Sequence, residues 1–125
     1  MSDIAGATGN RDTRLENFAA ELTNAVYPIA LRHGITGSWI NVELSLWRVL
    51  AHTVKKWARE RPPAGCSDEF QVWQQGLLVD LTENAFYVTV KHGIKGSLLE
   101  IELALYRFLR LVIRRSGRQI SKVRH

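Results

Sequence analysis

With 125 residues and 46% hydrophobic content, the chain is sized for one compact domain and carries enough apolar material for a packed core, which excludes a disordered polypeptide. Seventeen Lys and Arg against twelve Asp and Glu leave a net charge of +5, a balance that favours polyanionic partners. The single cysteine, Cys66, excludes an internal disulfide and a multi-cysteine zinc site, and no apolar run approaches the ~18 residues that span a bilayer.

Residues 1–13 are rich in Gly, Ser and Asp, and are expected to form a flexible N-terminal segment without the charged-then-apolar layout of a secretory signal. Together with the lone thiol this points to a reducing, cytoplasmic setting. A first helix is expected near 14–33, with Phe18, Leu22, Ala25, Val26 and Ile29 on one apolar face. Tyr27 and Leu31 fall on the opposite side, and Pro28 removes one hydrogen bond from the ladder. Gly34 then stands where a helix C-terminus takes a left-handed residue, and Ser38 at the N-cap of the next helix.

That second helix, near 38–61, has a wide apolar arc: Trp39, Ile40, Val42, Leu44, Leu46, Trp47, Val49, Leu50, Val54 and Trp57. Its polar stripe holds Asn41, Ser45, Arg48, His52, Lys55 and Arg59. Pro62, Pro63, Ala64 and Gly65 break the chain in a linker over 62–67, where Cys66 reads as a spectator thiol. A third helix follows near 68–92, with Val79, Phe86 and Val90 where the first helix has its second apolar side. A fourth, near 97–117, places Leu98, Ile101, Leu105, Tyr106, Phe108, Leu109, Val112 and Ile113 inward. Residues 118–125 form a basic tail.

The strongest organising signal is self-similarity. Leu22 to Ala51 aligns without a gap on Leu81 to Arg110 at an offset of 59 residues, with 12 of 30 pairs identical. The shared Gly-Ile-x-Gly-Ser element, Gly34 to Ser38 and Gly93 to Ser97, reads as the corner of a helical hairpin. The expected fold is therefore all-α: a four-helix bundle-like arrangement of two tandem, pseudo-symmetric hairpins over 14–61 and 68–117. Apolar patches on two sides of the first and third helices point to a homo-oligomer.

Glu43 and Glu102 fall within the apolar arcs, and His33 and His92 lie on apolar faces close to the corners. A buried carboxylate needs a partner, so His33–Glu43 and His92–Glu102 are expected as buried structural pairs. The sharper alternatives are a two-histidine, two-glutamate metal site and a pH-sensitive switch. Metal ligation is disfavoured because the usual Glu-x-x-His spacing is missing. No nucleophile constellation or phosphate loop is present, and no cofactor is implied; the chain reads as a non-enzyme.

Basic residues carry the functional expectation. Arg48, Lys55 and Arg59 are spaced 7 and 4 apart, and Arg107, Arg114 and Arg118 repeat that spacing. With Lys56, Arg110, Arg115, Lys122 and Arg124 they form cationic rows suited to tracking a phosphate backbone, RNA or DNA, without base readout. Cations in the last turns also complement the helix dipole, which accounts for Lys55, Lys56, Arg114 and Arg115 without a ligand. The expected role is an accessory subunit of a nucleoprotein complex. The alternative is a protein-only adaptor or oligomerisation module that binds an acidic partner protein.

Overall fold

Apolar side chains every three to four positions, with glycine at the two corners, produce four helices. The computed structural model describes the backbone of residues 2–60 and 67–124, and the side chains of 13–60 and 70–115. The helices are α1 (Ser2–Arg32), α2 (Trp39–Arg59), α3 (Ser67–Lys91) and α4 (Leu98–Arg124), with no strand among the described residues. α1 begins at Ser2 and α4 runs to Arg124, so the N-terminal segment and the basic tail are both continuations of helices. The linker residues Pro62, Pro63, Ala64, Gly65 and Cys66 lie outside the described residues.

α1 and α3 each pack against both α2 and α4, which closes a four-helix ring with α1 opposite α3 and α2 opposite α4. Its core is a ladder of fully buried residues: Leu22, Val26 and Ile29 from α1, Val42, Leu46 and Leu50 from α2, Leu81 and Ala85 from α3, and Ile101, Leu105 and Leu109 from α4. Four threonines join this core without stranding a hydroxyl. Thr23, Thr53 and Thr82 donate to carbonyls four residues back (Ala19, Val49 and Leu78), and Thr89 donates to Phe86 O. Pro28 sits in the interior of α1 on its exposed side, where a missing amide leaves a carbonyl that water can reach.

Both corners turn on glycine. Gly34 (φ 71°) and Gly93 (φ 76°) end α1 and α3 in the left-handed region, their amides donating to Leu31 O and Val90 O. Ser38 is extended (φ −63°, ψ 134°), but its hydroxyl makes no capping bond; Ser97 Oγ accepts from the Glu100 amide at 3.5 Å. The corners also meet each other. The Thr36 amide donates to His92 O at 3.0 Å and the Lys95 amide to His33 O at 2.8 Å, a reciprocal pair of bonds between positions 59 apart.

The same meeting corrects the expected His–Glu pairs. Glu43 and Glu102 are exposed, and neither histidine bonds to them. Each carboxylate lies about 100° around its helix from the buried Val42 or Ile101, far enough to stay hydrated. The histidines instead reach across to the other hairpin. A Cβ on Gly37 would lie 2.7 Å from His92 Nδ1, and one on Gly96 would lie 3.2 Å from His33 Nδ1. His92 Nε2 also stands 3.4 Å from Ser45 Oγ. The second glycine of each corner is thus a seat for an imidazole, and among the described residues no three His, Cys, Asp or Glu side chains gather to hold a metal ion.

At the opposite end, the α2–α3 contact is fixed by indoles. Trp57 Nε1 donates to Asp80 Oδ2 at 2.7 Å, Trp73 Nε1 donates to Trp57 O at 3.1 Å, and the two rings meet edge to face at 6.0 Å. Asp80→Ala orphans the half-buried Trp57 N–H and is expected to cost about 1–3 kcal/mol in urea unfolding. Asp80→Asn keeps an acceptor and should lose less than half of that.

Candidate nucleic-acid interface

The basic residues are surface groups by necessity, since an unpaired buried cation costs several kcal/mol. Arg48, Lys55, Lys56 and Arg59 are exposed on α2, and Arg107, Arg110, Arg114 and Arg115 on α4. Arg118, Lys122 and Arg124 belong to the last turns of α4, with side chains outside the described residues.

The bundle does not join the two rows. α2 and α4 stand on a diagonal, so their solvent-facing stripes point away from one another. One straight stretch of backbone cannot lie along both. Arg115 is further set apart: it turns toward α1, where its guanidinium is 3.9 Å from Glu21 Oε2, with both side chains largely in water. Such an exposed pair contributes little.

Arg110 and Arg114, one turn apart on α4, line a groove of about 400 Å³ against α3. Its other wall is Gln71, Gln74 and Gln75, and Leu78 and Ile113 form the floor. Arg107, one turn above Arg110, continues the row, which spans about 10 Å along the helix. Among the described residues no carboxylate lies within 4 Å of these three guanidinium groups. Gln75 is held in place, donating from Nε2 to the Tyr106 hydroxyl at 2.8 Å.

Chemically the groove pairs planar, permanently charged forks with neutral amides that both donate and accept. Guanidinium groups grip phosphate oxygens bidentately, and amides suit sugar hydroxyls and phosphate oxygens alike. The glutamines were not among the expected contacts, although the sequence signal exists: 71, 74 and 75 share one helical face three and four residues apart. The equivalent place on the first hairpin differs. There Ala51 stands where Arg110 does, and Glu16 where Gln75 does, at the same 59-residue offset.

No helix among the described residues is long and apolar enough to cross a membrane. No protein family, no curated protein and no solved structure matches the chain.

Proposed function

We propose that the protein is a non-catalytic, cytoplasmic accessory subunit that self-associates and holds the backbone of a nucleic acid in the α3–α4 groove. The observation that carries the nucleic-acid reading is the row Arg107, Arg110 and Arg114, with no carboxylate within 4 Å among the described residues, beside three glutamines. Two of these cations line the groove and the third continues their row, and among the described residues none has a carboxylate partner that would make it structural. Nothing in the groove distinguishes one base from another, so binding is sequence-tolerant. The row on α2 plays a lesser part, because it faces the other way.

The test is fluorescence anisotropy with a labelled random oligonucleotide, as single-stranded RNA, single-stranded DNA and duplex. With three phosphates neutralised, affinity should fall roughly 20- to 40-fold between 50 and 200 mM salt. Arg110→Glu with Arg114→Glu should abolish binding while leaving the far-ultraviolet circular dichroism unchanged. Lys55→Glu with Arg59→Glu should weaken it by a few-fold at most. An oligonucleotide ignored at low salt would overturn the reading and favour an adaptor for an acidic protein.

A further inference from the structure

The apolar arc of α2 is wider than the core can use. Val42, Leu46, Leu50 and Val54 are buried, whereas Ile40 (71% exposed), Leu44 (47%) and Trp47 (37%) remain in water. These three follow one another at intervals of four and three residues, the heptad spacing of a helix that pairs with another helix, and the next seam position holds Ala51, a small side chain only 8% exposed. Leu44 and Trp47 form one side of a groove of about 280 Å³ completed by Ala20 and Asn24 of α1. An isolated apolar side chain on a surface needs no explanation, but a continuous stripe bordered by charge marks an interface.

Two charges flank the stripe. Glu43 precedes Leu44 on the α1 side, and Arg48 follows Trp47 on the far side. Glu43 stands close enough to α1 for its carboxylate to add to the desolvation that raises the Tyr27 phenol pKa. Residues five apart that straddle an apolar seam are the pair that meets across a parallel two-helix contact, the acid of one helix against the base of the other, twice. Face to face under a two-fold axis along α2, Leu44 and Trp47 pack on their own copies while Glu43 meets Arg48 of the second chain in both directions.

We infer that the α1–α2 face is the docking surface for a second copy of this chain, with the two α2 helices parallel and Glu43 paired with Arg48 across the two-fold axis. This rests on the self-association proposed above and adds its site and register. The choice of hairpin follows from one difference. α4 repeats the pattern with Leu99, Glu102, Leu103, Tyr106 and Arg107, but places Arg110 where α2 has Ala51. Two copies of α4 in this register would oppose arginine to arginine, and that face keeps its groove free.

Sedimentation equilibrium of the full chain tests the register. Wild type should be a dimer, and Leu44→Glu a folded monomer by circular dichroism, since that side chain is half in water already. Glu43→Arg and Arg48→Glu should each weaken dimerisation at least tenfold. The double variant Glu43→Arg with Arg48→Glu restores both pairs and should return to within about threefold of wild type. Leu103→Glu should leave the dimer intact. A monomeric wild type overturns both this inference and self-association. A dimer that survives Leu44→Glu, is lost with Leu103→Glu, or gains nothing from the double charge exchange overturns the α2 register alone.

Discussion

Leu46→Ala and Leu105→Ala are each expected to lower the unfolding free energy by about 3–5 kcal/mol, the cost of deleting a buried leucine from a core that cannot collapse around the gap. Both side chains are fully buried, 59 residues apart, on diagonal helices whose inward faces meet α1 and α3. A domain of this size stands only about 5–15 kcal/mol above its unfolded state, so either change removes a large share of the margin. Leu99→Ala and Leu111→Ala supply the contrast, because those leucines are 67% and 62% exposed and should cost no more than about 0.5 kcal/mol. Urea unfolding followed by circular dichroism reads all four. Equal losses at Leu46 and Leu99 would mean that the buried side of these helices is misplaced.

That contrast marks where residue patterns are legible and where they stop. The apolar arc of a 3.6-residue helix places Val42, Leu46 and Leu50, and Ile101, Leu105 and Leu109, in the core correctly. Hydropathy cannot tell a side chain that packs inside the chain from one presented outward, so Ile40, Leu44 and Leu98 join the same arc on a helical wheel yet stand in water. The misreading of Glu43 and Glu102 has the same root, an arc drawn too wide. The histidines were misread for another reason. Their seats, Gly37 and Gly96, belong to the other hairpin, and a contact between hairpins leaves no trace in the spacing of either one. The groove was half legible: its arginines stand out by charge, while its glutamines gain meaning only once α3 and α4 are side by side. The helical start of α1 at Ser2 was hidden by glycines, which favour loops locally but do not forbid continuation of a long helix.

Gly93→Ala should cost markedly more than Gly34→Ala, although the two glycines occupy the same place in the repeated element. Both have a positive φ, 71° at Gly34 and 76° at Gly93, so alanine at either pays the left-handed penalty of about 1–2 kcal/mol. At Gly34 an added Cβ meets only the flexible side chain of Lys95, at an ordinary 3.5 Å. At Gly93 it would strike Thr36 Oγ1, the hydroxyl that donates to His92 O at 2.8 Å beside the hydrogen bond from the Thr36 amide to the same oxygen. Displacing Thr36 therefore adds the loss of that hydrogen bond, about 0.5–1.5 kcal/mol, to the backbone strain. Thr36→Ser with Gly93→Ala keeps the clash, whereas Thr36→Gly removes both the clash and the hydroxyl and should bring the two glycine sites to the same cost. Equal destabilisation by the two single variants would show that the Thr36 hydroxyl contributes nothing to the contact between the corners.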